Sequence, residues 1–194
     1  MKKLTFLLDN GHGINTPGKR SPKWKDGSQL FEFEFNRDIV KRIAKGLGSL
    51  AIPYKILVPE EIDISLGERV RRANAIKDSI LISVHANAGG GTGFEIFTSP
   101  GKTQSDSIAT VFCQECEKAF PEFKMRFDHS DGDPDKEANF YVLTKTKGPA
   151  ILTENLFMDT ESDCKFLMSE HGRHRIAEYH IRAIKRIVSD GLIA

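Results

Sequence analysis

Three side chains able to bind a metal or move a proton stand directly behind apolar runs. They are His12 after Leu4–Leu8 and the Asp9-Asn10-Gly11 turn, His85 after Ser79–Val84, and Glu154 after Pro149–Thr153. A lone histidine behind a strand is commonly a hydrogen-bonded loop residue, and that reading applies first to the glycine-flanked His12. His85 follows a nearly continuous apolar strand, where an unpaired polar group is costly. Glu154 is placed for burial, which raises a carboxyl pKa toward the range of a useful general base. Glu32 and Glu34 stand at the mouth of a helix, where acids are favoured for dipole reasons alone. Two imidazoles and one carboxylate form a ligand set that leaves a zinc ion one open position. Residue types alone leave Glu32 and Glu34 as alternatives for that carboxylate.

The elements that must position these groups are legible as periodicities. Leu4–Leu8 and Ser79–Val84 are short apolar runs of the kind that form strands buried on both faces. Tyr54–Val58, Phe94–Thr98 and Pro149–Thr153 are further strand candidates, the last presenting Glu154-Asn155 at its end. Phe35, Ile39, Ile43 and Leu47 recur every four residues and predict a helix whose end is marked by Gly46 and Gly48. Ser65-Leu66-Gly67-Glu68 carries the Ser-x-x-Glu pattern that opens a second helix, with Leu66, Val70 and Ala73 on its inner face. Ile108, Val111, Phe112 and Ala119 predict a third helix, and Ile176, Ile184 and Val188 a carboxyl-terminal one. Strands alternating with helices predict an α/β three-layer domain, with a mostly parallel twisted sheet and helices on both faces. In such a sheet the strand ends share one edge, where distant residues meet. Between the first strand and first helix, residues 14–30 are rich in Lys, Pro, Ser and Gly and show no sustained period.

Composition narrows the function classes. The 194 residues are 39% hydrophobic and 28% charged, with 28 Lys+Arg against 27 Asp+Glu. A net charge of +1 gives no argument for nucleic acid or an anionic membrane as partner. The length suits one domain, 1–194, able to bury a core without staples, so a metal would be present for chemistry. Met1-Lys2-Lys3 precedes only five largely apolar residues, too few for a secretory leader, and no run approaches the roughly 20 residues of a membrane span. The expectation is synthesis in the cytoplasm without a signal peptide and no membrane insertion. Cys113, Cys116 and Cys164 are an odd number, and the Cys-x-x-Cys pair lies in an amphipathic stretch; helix packing is favoured over a metal or redox role.

Five segments in order resemble the zinc amidases of the amidase type 3 family, found in bacterial wall-remodelling enzymes and phage endolysins. They are Leu8-Asp9-Asn10-Gly11-His12-Gly13, Glu32 four residues before Asn36, Glu68-Arg69 leading to Ala73-Asn74, Ser83-Val84-His85-Ala86-Asn87, and Pro149–Glu154. Any one is weak; the ordered set, spanning nearly the whole chain, is specific. The resemblance implies Zn2+ held by His12, Glu32 and His85, with Glu154 as catalytic acid/base. It implies hydrolysis of the amide between N-acetylmuramic acid and L-alanine, with peptidoglycan or a muropeptide as partner. The spacing to Asn36 favours Glu32 over Glu34. The chain departs from the family in having Asn10 where Pro is usual and in a longer 15–30 segment, whose Lys19, Arg20, Lys23, Trp24 and Lys25 either line a substrate groove or form a solvated loop.

Other candidates are weaker. Asn87 and Asn155 are candidates to steady the imidazole or carboxylate, while Arg69 and Asn74 are read as structural. Arg126 is a candidate for meeting a peptide carboxylate. Asp128, Asp131, Asp133 and Asp135 suggest calcium only superficially, lacking the EF-hand glutamate, and are read as a solvated loop. His171 and His174 are read as exposed residues near a helix start. The rival functions are a zinc amidohydrolase for small N-acylated amino acids and a non-catalytic muropeptide-binding module. A monomer is the simpler assembly. Without a leader, a wall hydrolase fits a phage lysin released by a partner pore, and fits equally a form trimmed of its export signal.

Overall fold

Phe6 and Leu8 enter one apolar layer and Leu7 the other, because successive side chains of a strand point to opposite faces. In the computed structural model, which describes residues 4–192, that strand is β1 (Thr5–Asn10). The reading placed on Met1-Lys2-Lys3 lies outside the described residues. The order continues α1 (Glu32–Ser49), β2 (Tyr54–Ile56), α2 (Leu66–Asn74), β3 (Ser79–Asn87), β4 (Phe94–Thr98) and α3 (Gln104–Ala119). It closes with β5 (Lys136–Glu137), α4 (Tyr141–Lys145), β6 (Ala150–Phe157), α5 (Glu161–Met168) and α6 (Glu170–Asp190).

The strands form one sheet in the order β2-β1-β3-β6-β4-β5. Only the β4–β6 pair is antiparallel, so the predicted three-layer, mostly parallel α/β architecture is the observed one. Phe35, Ile39 and Ile43 of α1, Ile108 and Phe112 of α3, and Ile176 and Ile184 of α6 cover one face, meeting Phe6, Ile80 and Ile82. Val70 and Ala73 of α2 with Val142 and Leu143 of α4 cover the other, against Leu7, Leu81 and Leu152.

Several element details differ from the sequence expectations. Gly46 and Gly48 lie inside α1, which continues to Ser49. Gly46 is where α1 touches α6, since a Cβ there would run into the Ile181 side chain. Leu66 is not on the inner face of α2 but 53% exposed; as the first helical residue it points over the cleft described below. On α6, Val188 is exposed and Ile187 is buried. At about 100° per residue, Ile187 falls about 20° from the direction of Ile176 and Val188 about 120° away.

Strand β6 does not stop before Glu154 but runs to Phe157. The β3–β6 register shifts between His85 and Asn87, and Leu156 adopts φ 62, the signature of a bulge that re-aims side chains beside a site. The 14–30 segment is tied down at both ends. Arg20 and Phe31 form an antiparallel bridge, and Lys19 O accepts from Glu32 N at 3.0 Å, satisfying one of the orphan donors of α1. Trp24 packs on the larger core and donates its indole N–H to Cys164 Sγ at 3.3 Å. Cys113 and Cys116 are buried on α3 and unbridged, as helix packing requires.

Candidate metal centre and cleft

His12, Glu32 and His85 come from three different elements and converge at one sheet edge. His12 follows β1, Glu32 is the first residue of α1, and His85 lies near the end of β3. One ligand atom from each lies within 4.8 Å of the other two. Glu32 Oε1 is 3.0 Å from His85 Nδ1 and 3.4 Å from His12 Nε2. The imidazoles meet edge to face, centroids 5.1 Å apart. Among the described residues this is the one group of three or more such side chains that could hold a metal ion. Glu34 is exposed on the helix surface, because two residues along a helix is a turn of about 200°.

The local backbone explains how these three side chains are held. His12 sits at φ 63, a left-handed conformation uncommon outside glycine, and its carbonyl accepts from Arg37 Nη1 at 3.0 Å and Arg69 Nη2 at 3.5 Å. Gly11 is required by proximity: a Cβ there would overlap the His85 ring. Asn36, one helical turn beyond Glu32, donates to Gly11 O at 3.0 Å and to Glu32 Oε1 at 3.4 Å. Burial opposes ionisation of Glu32, but hydrogen bonds and charge from His12 and His85 overcome it and hold the carboxyl far below its usual range. Its other oxygen, Oε2, is buried without a hydrogen-bond partner, and an ionised carboxylate buried against two imidazoles is a donor set of the kind that binds divalent metals. The donor set therefore fits a divalent metal.

Glu154 lines the same cleft of about 400 Å³ together with His12, Lys19, Arg69, Ser83 and His85. It pairs in register with His85 across β3–β6. Burial, reinforced by the negative charge of Glu32, raises its pKa to about 7 against the opposing pull of His85. Glu154 Oε2 has no hydrogen-bond partner. Such a carboxyl is suited to exchange protons near neutral pH. The opposite wall of the cleft is apolar and aromatic, formed by Ile64, Leu66, Phe140, Tyr141 and Val142.

A family model described as N-acetylmuramoyl-L-alanine amidase matches residues 6–186. The chain belongs to this family. An endolysin of Bacillus phage SPP1 is 31% identical over 97% of this chain and 67% of its own length. A sporulation-specific N-acetylmuramoyl-L-alanine amidase of Bacillus subtilis (strain 168) is 29% identical over 94% of this chain and 68% of its own. Among solved structures, an N-acetylmuramoyl-L-alanine amidase from Clostridium difficile 630 superposes with a TM-score of 0.86 at 25% identity, covering 97% of this chain and 98% of that one.

Around the amidase centre, several polar residues do something other than their sequence suggested. Asn155 steadies the His85 backbone rather than its ring, donating to His85 O at 2.9 Å while accepting from Tyr179 OH at 2.8 Å. Asn87 turns away to donate to Glu95. Arg126 is engaged with Glu95 at 2.7 Å and lies over the Phe157 ring, so it is committed within the fold. Asn74 donates to Lys145 O and accepts from Lys147 N, a structural role. Of the long amidase segment, Lys19 reaches the cleft, 4.0 Å from Glu32 Oε2, while Arg20, Lys23 and Lys25 are exposed. His171 and His174 are exposed on α6.

Two features escaped sequence reasoning. His180 is fully buried, its Nδ1 donating to Ile176 O at 2.8 Å and its Nε2 accepting from Thr153 Oγ1 at 3.1 Å; its place in the 176-180-184-187 stripe was the available signal. The acidic 128–135 segment is not wholly solvated: Asp135 is buried and accepts from Thr98 Oγ1 at 2.7 Å. No helix among the described residues is long and apolar enough to cross a membrane.

Proposed function

We propose that the chain, acting as one catalytic unit, is a zinc-dependent N-acetylmuramoyl-L-alanine amidase that hydrolyses the amide joining N-acetylmuramic acid to the stem peptide of peptidoglycan. The observation that carries this reading is the convergence of His12, Glu32 and His85 within 4.8 Å, in a cleft that Glu154 also lines, in a chain of the amidase family. His12, Glu32 and His85 would hold the ion, with Nε2, Oε1 and Nδ1 the atoms that face one another. Two imidazoles and a carboxylate leave zinc an open position, and zinc there supplies Lewis-acid activation of the scissile carbonyl and of the attacking water.

The chain's own groups do the rest. Glu154 accepts a proton from the water as its oxygen bonds to the lactyl carbonyl carbon, then delivers that proton to the alanine nitrogen as the C–N bond breaks. The products are a free carboxylate on the glycan and a free α-amine on the peptide. Arg37 and Arg69 clamp the His12 carbonyl and so fix the loop that carries the imidazole. Leu66 and Phe140 line the cleft with exposed apolar surface, available to the non-polar parts of a substrate. The substrate lies outside the membrane, so the chain acts after release or export.

Incubation with purified peptidoglycan tests the proposal. New amino-terminal alanine with intact glycan strands, abolished by a chelator and restored by Zn2+, is the expected result. Turnover of small N-acylated amino acids with no action on peptidoglycan would point to the related amidohydrolase instead. Persistent muropeptide binding without cleavage by metal-loaded protein would point to a binding module.

A further inference from the structure

The two nitrogens of His85 face different partners. Nδ1 faces Glu32 Oε1 at 3.0 Å, and Nε2 lies 3.2 Å from Ser83 Oγ. Ser83 has one hydroxyl proton, and it goes to Asp9 Oδ2 at 2.6 Å. A hydroxyl that has given its proton to a carboxylate can only accept from the ring. Nε2 must then carry hydrogen, so when Nδ1 gives up the proton it shares with Glu32 the lone pair of the neutral imidazole lies on Nδ1, the atom aimed at the other two ligands.

The strand register builds this relay. Asp9 and Ser83 are direct partners across β1–β3, so their side chains share a face of the sheet, and His85, two residues beyond Ser83, projects from that same face. Asp9 is 1% exposed, and its remaining oxygen takes a hydrogen bond from Arg69 Nη1. Arg69 is itself fixed by Asn10 O at 2.9 Å and Asp63 Oδ1 at 2.8 Å. Asp9 is thereby oriented with one oxygen committed to Arg69 and the other to Ser83.

We propose that Ser83 and Asp9 are positioning residues that lock His85 as its Nε2–H tautomer and thereby select Nδ1 as the metal-binding atom. This rests on reading His12, Glu32 and His85 as a metal centre, and is independent of which substrate is cut. A histidine ligand whose second nitrogen is tied to a carboxylate directly is the common arrangement; here a serine hydroxyl is interposed.

Two measurements on the full chain test it. The first needs no substitution: in ¹⁵N-histidine protein loaded with ¹¹³Cd, the cadmium coupling of His85 is expected on Nδ1, with a solvent-protected proton on Nε2. Coupling on Nε2 would overturn the relay while leaving the metal centre standing. Absence of any divalent-ion binding would overturn both. The second is chelator competition for Zn2+: Ser83→Ala is expected to weaken binding about 10- to 100-fold, with the metal-free far-UV circular dichroism unchanged, and Ser83→Thr is expected to restore it. Unchanged affinity in Ser83→Ala would show that Ser83 only packs.

Discussion

Glu154 faces Glu95 directly across the antiparallel β4–β6 pair, yet the two carboxyls are held in opposite states. Burial favours the neutral form of both. Lys136 and Arg126 overcome it at Glu95, which stays below its usual range, whereas at Glu154 the weaker pull of His85 and Lys19 does not and the pKa is raised to about 7. Neighbouring carboxyls pushed apart in this way are how an active site separates a structural anion from a proton carrier. Glu154→Gln keeps the side-chain volume and removes the proton exchange. Metal content by elemental analysis is expected to match the parent, while release of amino-terminal alanine falls about 10²- to 10⁴-fold. A rate above a tenth of the parent's would remove Glu154 from the mechanism.

His85→Ala, in contrast, removes a proposed ligand. Both bound metal and activity are expected to be lost. Stoichiometric metal in that variant would mean the ion sits elsewhere.

Gly11→Ala tests the packing of the centre without touching a proposed ligand. The new methyl would occupy the space of the His85 ring, so the ring must turn away from Glu32. Zn2+ affinity by chelator competition is expected to drop at least about tenfold, by analogy with loss of a partner that orients a metal ligand. Far-UV circular dichroism should be unchanged.

Arg69 is 2% exposed and bridges Asp9 to Asp63. Its removal leaves a buried carboxylate uncompensated, which typically costs about 3 to 5 kcal/mol. Urea unfolding of Arg69→Met is expected to show a loss of that size. Arg69→Lys should recover little, because one ammonium cannot reproduce a fork that bonds Asp9, Asp63 and three backbone carbonyls at once.

His180 gives the fold a built-in acid sensitivity. Burial depresses its pKa to about 4, against a smaller opposing effect of the Ile176 carbonyl. Because the folded value lies below that of the unfolded chain, the stabilisation is complete above the unfolded pKa of about 6.5 and is lost as pH falls toward about 4. Between pH 7 and pH 5 this linkage amounts to about 2 kcal/mol. Unfolding free energies at those two values should differ by about that much more in the parent than in His180→Gln.

The parts of this molecule legible in its sequence are those where one physical effect dominates. Leu4–Leu8 and Ser79–Val84 are buried on both faces, so their apolar runs are unbroken and the strands are evident. Strand β6 was cut short because Glu154 and Asn155 look like a loop until His85 O and Tyr179 OH are seen to satisfy Asn155. Strand β5 has two residues and α4 five, too few for any period. Glu32 and Glu34 cannot be separated by type, only by the spacing to Asn36 and by the rotation of about 200° between them. Arg69 is read as structural and is so, but its partners, Asp9 and the Asn10 and His12 carbonyls, are about 60 positions away and have no local signal.

The chain has a single tryptophan, anchored against Cys164 on the segment whose Lys19 carbonyl holds the first residue of α1. Its indole emission therefore reads out, with no label, whether the rim beside the Glu32 carboxylate is seated. Thiol quenching of that fluorophore reports whether the indole is still seated against Cys164.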